Sequence, residues 1–211
     1  MRVITHHTPD AMLAAYAAGN LPYAFAVVVA SHVSLCEQCR AALEAHQMIG
    51  GVVLEETGAV GVSAALKDDI LAQLDAPFTP EPVFERTGAY PGPVMEALKG
   101  RPIRWKTLGM GVRQDILSAD RNGSVRLLYI PPGQAVPDHG HNGVELTLVL
   151  QGSFQDETGR FGVGDLEVAD EALEHTPIAV EGEACICLAA TDGSLKFRAL
   201  MPRLLQPIFR I

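Results

Sequence analysis

Residues 32–39 read HVSLCEQC, an imidazole followed by a thiol four residues on and a second thiol three beyond that. Two cysteines at this spacing can be a redox pair, half of a metal site, or two buried thiols. If a helix opening near Pro22 continues to about Leu35, His32 and Cys36 stand at i and i+4 and face one direction, while Cys39 opens the next helix. Three donors then converge at one helix junction. A tetrahedral zinc ion held by two thiolates and two imidazoles needs one more ligand, for which His6, His7 and His46 are candidates. His7 directly precedes the Thr8-Pro9 helix start and can be brought back to the junction; His46 lies further along the third helix. A thioredoxin-like redox pair belongs after a strand in a βαβ context, which is absent here.

A second group of donors lies in residues 133–152, GQAVPDHGHNGVELTLVLQG. In a strand, His139 and His141 project to the same face. Glu145 joins them only if the register cooperates. A two-residue Asn142-Gly143 turn would leave Glu145 on the opposite face, whereas a three-residue loop over 142–144 pairs His141 with Glu145, and this geometry is expected. His175 is the remaining histidine of this half and the expected fourth ligand. Such a set suits a first-row divalent ion: zinc first, with iron, manganese and nickel open. Cys185 and Cys187 share a strand face in ACICLAA and read as buried core thiols. Trp105, Phe209 and Arg210 read as packing residues.

The elements that must position these groups differ between the two halves. The first half is helical: AMLAAYAA capped by Thr8 and ended by Gly19, a second helix to about Leu35, a third weakened at Gly50 and Gly51, and a fourth capped by Ser63. In the fourth, Leu66, Ile70, Leu71 and Leu74 form one apolar stripe that needs a partner. Pro77, Pro80, Pro82, Pro91 and Pro93 interrupt any regular element and mark a linker over 76–93. A short helical turn over 94–98 follows, and then strands: VRLLYI, ELTLVLQG, ACICLAA and LKFRALM. The expected fold class is therefore α+β in two domains, a helical zinc domain over 1–75 and an antiparallel β-barrel over 94–211.

With 48% hydrophobic residues the chain has ample material for a core. A net charge of −9 argues against direct nucleic-acid binding, which needs clustered Lys and Arg. The N-terminus carries no signal-peptide pattern, and the most apolar run, AFAVVVA, falls short of the roughly 20 residues of a membrane helix. A cytoplasmic location without a membrane span is expected.

The segment with His139, His141, Glu145 and the flanking Gly133 and Gly152 resembles the first conserved motif of the cupin superfamily, small β-barrels that hold a metal through two His, a Glu and a later His. The second motif of that superfamily fits less well, because Val163 stands where its usual proline would and no Asn follows His175. The first half resembles the zinc-binding anti-sigma domain, in which an N-terminal His joins a His-x3-Cys-x2-Cys element. Together with HHTPDAMLAAYAAG near the terminus, the chain is similar over almost its full length to the ChrR-type anti-sigma factor family. That resemblance makes His7 the fourth ligand beside His32, Cys36 and Cys39, with His6 in reserve. It implies sequestration of an extracytoplasmic-function sigma factor by the zinc domain, and a metal-binding cupin that senses an oxidative-stress signal and modulates release. The enzymatic alternative is a metal-dependent cupin dioxygenase or isomerase with a helical accessory domain. It lacks a convincing base or substrate clamp, since Asp138, Tyr129 and Arg126 are individually uninformative.

Overall fold

In the computed structural model, the described residues are 3–74, 77, 80–136, 139–141, 143–193 and 195–197, with side chains described for all of these except 139–141 and 195–197. Five helices precede the strands: α1 (Asp10–Ala17), α2 (Tyr23–Leu35), α3 (Glu37–Glu56), α4 (Leu66–Leu74) and α5 (Gly92–Leu98). Gly19, at φ +69°, ends the first helical segment in the left-handed conformation that glycine adopts without a Cβ penalty. The cap expected from Thr8 is not formed. Pro9 takes the N-cap position of α1, so the Thr8 hydroxyl lies one residue too early, and it is buried beside Cys39 instead. Helix α3 runs through Gly50 and Gly51 without a break.

Helix α2 explains why the apolar run AFAVVVA belongs in a soluble-type core. Seven of its 13 residues are buried, among them Phe25, Val27, Val28 and Val29. One side packs on α1, α3 and α5; another packs on the sheet through β3 (Gly123–Ile130), β5 (Glu145–Gln151) and β10 (Cys185–Thr191). Among the described residues no helix is long and apolar enough to cross a membrane.

The strands form a six-stranded antiparallel sheet completed by β1 (Lys106–Gly109), β2 (Val112–Asp120) and β8 (Leu166–Ala169), in the order β1-β2-β3-β10-β5-β8. A three-stranded sheet, β7-β6-β9, is built from β6 (Ser153–Gln155), β7 (Arg160–Gly162) and β9 (Ile178–Ala179). A two-stranded sheet pairs β4 (His139–His141) with β11 (Leu195–Phe197). Alternation along each strand splits the apolar residues by face. Ile186, Leu188 and Ala190 of β10 join Leu127, Leu146, Leu148 and the helical residues in one core; Cys185 and Cys187 join Val149, Phe154 and Phe161 in another. The two-domain α+β class is thus realised with helices and sheet sharing a core, and the strands lie in facing sheets rather than one closed ladder.

The expected pairing of His141 with Glu145 does not occur. Both edges of β5 are occupied, with Glu145 opposite Thr191 of β10 and Ala169 of β8, so β4 has no free edge there to join. His141 stands opposite Leu195 instead. Trp105 packs edge-on against Tyr129 with ring centroids 6.0 Å apart, in keeping with a packing role. Phe209 and Arg210 lie outside the described residues.

Because α2 packs on both helices and sheet, the two should unfold together. Phe25→Ala is expected to cost about 3–5 kcal/mol and to shift the urea midpoint followed by the single Trp105 as much as the one followed by far-UV circular dichroism. Separate midpoints would show that the sheet does not lean on α2.

Candidate metal centre

Helix α2 ends at Leu35 and Cys36 becomes the N-cap of α3, its sulfur accepting from the Cys39 amide at 3.5 Å. This sharp junction puts His32, Cys36 and Cys39 on one inward-facing corner, and the segment before α1 brings His7 over it. The His7 Nδ1 lies 3.3 Å from Cys36 Sγ and 3.7 Å from Cys39 Sγ, and His32 Nε2 lies 3.2 Å from Cys39 Sγ. The donor atoms of all four residues fall within 4.8 Å of one another. A tetrahedral first-row ion with bonds of about 2.0–2.3 Å sets its donors about 3.3–3.8 Å apart, so the spacing fits a metal.

Electrostatics point the same way. Burial drives the His32 imidazole down to about 4, partly opposed by the Gly164 backbone, so the ring is neutral at pH 7 and offers a lone pair. Its Nδ1 is buried without a hydrogen-bond partner of ordinary geometry. Burial pushes the Cys39 thiol up, with Thr8 opposing and Cys36 adding to the shift. A divalent cation would supply the charge that thiolates need here. His46 bonds Asp10 of α1 at 2.9 Å and His6 turns to Asp165, and neither belongs to the group of four.

The second expected group is placed only in part. Glu145 opens β5 and accepts from the Thr147 hydroxyl at 3.0 Å, and its charge helps hold a proton on His175. The side chains of His139 and His141 lie outside the described set. His175 is buried, and its Nδ1 contacts Asp156 at 2.8 Å and Glu167 at 3.1 Å. Burial works against a charged His175, but the bond and charge of Glu167, then Asp156, outweigh it and raise the ring to about 9. Burial raises Glu167 to about 7. Asp156 stays ionised: burial opposes its charge, but bonds from Glu167, Thr158 and His175 depress its pKa.

Asp156, Glu167 and His175 converge within 4.8 Å, and sequence spacing did not single out the two carboxylates. The available signal was a lone acid at a buried position of the strand LEVA. With Nδ1 engaged by carboxylates, a metal would be taken by the other ring nitrogen, the arrangement in which an outer carboxylate orients a histidine ligand. Cys185 and Cys187 are buried with sulfurs 3.5 Å apart, as core thiols.

These features define a class: a two-domain chain with a Cys/His cluster in its helical part and a cupin-like sheet domain bearing a buried histidine-carboxylate group. Residues 95–194 match the ChrR cupin-like domain family. The chain is 53% identical to the anti-sigma-E factor ChrR of Cereibacter sphaeroides over 211 residues, covering 99% of each. It is also similar to the crystal structure of Rhodobacter sphaeroides SigE in complex with the anti-sigma ChrR, with a TM-score of 0.81 and 53% identity over 90% of this chain and 100% of that one. The chain belongs to the ChrR family of anti-sigma factors. That relative is an anti-sigma factor, in keeping with the regulatory reading over the cupin-enzyme one.

A pH prediction follows from His32. In metal-free protein its folded pKa of about 4 lies below the ordinary 6.5, so the unfolded chain binds the proton first, and stability falls as pH drops from 6.5 towards 4. The loss should approach about 3 kcal/mol. An NMR titration of the His32 ring in chelator-treated protein checks this; a midpoint near 6.5 would show that the ring is not desolvated.

Proposed function

We propose that this protein is an anti-sigma factor whose helical domain, built around zinc, sequesters an extracytoplasmic-function sigma factor in the cytoplasm. His7, His32, Cys36 and Cys39 hold the zinc. It supplies folding free energy to a bundle of limited core by cross-linking the start of α1 to the α2-α3 junction. A divalent metal, zinc first, is held in the cupin domain by His139, His141, Glu145 and His175. That domain senses an oxidative-stress signal and modulates release.

The observation that carries the reading is an uncovered apolar face beyond the zinc cluster. The second half of α3 exposes Met48, Ile49, Val52 and Val53, and α4 has no buried residue although Ile70, Leu71 and Leu74 stand on one stripe. Helical stripes of this kind seek a groove or another helix. The relative crystallised with SigE supports a sigma factor as the occupant. The net charge of −9 and the absence of a basic cluster fit a regulator that reaches the promoter through another protein.

Metal analysis of the purified chain should give two ions. Cys36→Ser or Cys39→Ser should remove one and abolish sigma capture, and His175→Ala should remove the other. Leu71→Asp or Val52→Asp should keep both metals and weaken capture of the sigma factor encoded beside it by at least about tenfold. Unchanged capture by both surface variants would relocate the interface, and no capture by the unaltered chain would overturn the function.

Exchanging Asp156 or Glu167 for Ala should weaken metal binding in the cupin domain by about 10- to 100-fold without changing the thiolate site. Isothermal titration with zinc, carried out on the Cys39→Ser background, reads the cupin site alone.

A further inference from the structure

The chain segment that delivers His7 does not stand free. Asp165, in the turn between β7 and β8, is 3% exposed and turns its carboxylate onto the backbone just before that ligand. Its Oδ1 accepts from the Thr5 amide at 2.7 Å, the His6 amide at 3.0 Å and the Thr5 hydroxyl at 3.3 Å. The other oxygen accepts from the Gly162 amide at 2.8 Å, which fixes the carboxylate within its own turn. The Leu166 amide returns a bond to the His6 carbonyl at 3.1 Å. The His6 ring lies 4.4 Å from Phe161, and the left-handed Gly164, at φ +90°, approaches so closely that a Cβ there would stand 2.5 Å from Ile4 Cδ1. Residues 4–6 are therefore held by the β7 end and the turn that follows it, and the next residue is a donor of the Cys/His cluster.

We propose that Asp165 is a positioning residue, a latch by which the cupin domain holds His7 on the metal of the helical domain. Two successive amides on one carboxylate oxygen form charge-assisted bonds in a buried site, where they are stronger than between neutral groups. The latch pre-positions the one ligand of the four that comes from outside the α2-α3 junction. Loss of the grip leaves the metal to hold residues 4–7 by itself. The same turn is tied to the cupin interior: the Gly164 amide donates to Val149 of β5, and Glu167, two residues beyond Asp165, contacts His175. A rearrangement at His175 therefore has a path of one short strand to the metal ligand His7. The regulatory consequence rests on the anti-sigma reading, and the positioning role rests on the assignment of His7 as a metal ligand, which the cobalt absorption of the unaltered chain tests separately.

The test uses the full chain loaded with Co²⁺, because thiolate-to-cobalt absorption reports the Cys/His site alone. Decay of that absorption on adding EDTA gives the release rate, and amide exchange at Thr5 and His6 gives the grip. Asp165→Ala and Thr5→Pro, which strip the latch from its two sides, should each speed release about 10- to 100-fold and deprotect the His6 amide. Asp165→Asn, which keeps an acceptor oxygen, should lie nearer the unaltered chain. Asp120→Ala, which removes a similar turn carboxylate bonded to the Asn122 amide, should change nothing. If Asp165→Ala fails to fold, Thr5→Pro decides, since it leaves the cupin turn intact. Unchanged release and exchange in the folded variants would overturn the latch. None of these measurements contains a sigma factor, so their failure is distinct from absence of sigma capture by the unaltered chain.

Discussion

The packing of α2 on both the helices and the sheet constrains everything else in the molecule. A helix with Val28 and Val29 fully buried cannot leave either layer without exposing apolar surface at about 25 cal/mol per Å². Its last turn carries His32, so the metal-binding corner inherits the rigidity of the shared core. The C-terminal sheet thus shares the core of the helices. It forms one wall of the compartment in which the Cys/His cluster sits.

The two titratable clusters use burial in opposite ways. At the Cys/His cluster burial keeps His32 neutral and raises the Cys39 thiol, so a thiolate there would need a cation beside it. Around His175 burial is overcome: the Asp156 and Glu167 carboxylates face one imidazole at hydrogen-bond distance, and the ring keeps its proton to about 9. A metal arriving there competes with a proton already bound, whereas at the Cys/His site it replaces thiol protons. A metal at either site would displace protons, but against different internal partners.

The sequence was most legible where chemistry is local. His32, Cys36 and Cys39 are separated by helical spacings across one junction, and periodicity alone brings them together. His7, 25 residues upstream of His32, needed the family resemblance to be preferred over His6 and His46. The hairpin from His139 to Glu145 was misjudged because turn arithmetic gives a local register but does not reveal which edges of β5 are taken. Asp156 and Glu167 carry no spacing motif, being single acids in different strands and turns that only the sheet topology brings to His175. The apolar stripe of α4 was read as needing a partner, inside its domain or outside it, and none of its residues is buried.

The distribution of order follows from this arrangement and suits a regulator. Near the cluster, every segment is held by something else: α2 by two layers, the α3 N-terminus by Cys36, and residues 4–6 by Asp165. Leu43 is the last buried residue of α3; the helix beyond His46 is exposed, and no residue of α4 is buried among the described residues. A surface meant to open and close around a partner needs local free energies near the low end of the molecule's range, while the element that sets its orientation needs the high end. The cluster stands at the boundary between the two regimes. Helix α3, whose 20 residues span about 30 Å, leads from the cluster at its N-terminus to this exposed face. The turn at Asp165 bonds Thr5 and His6, directly before His7 of the Cys/His cluster, so the two halves of the chain meet there as well as along α2.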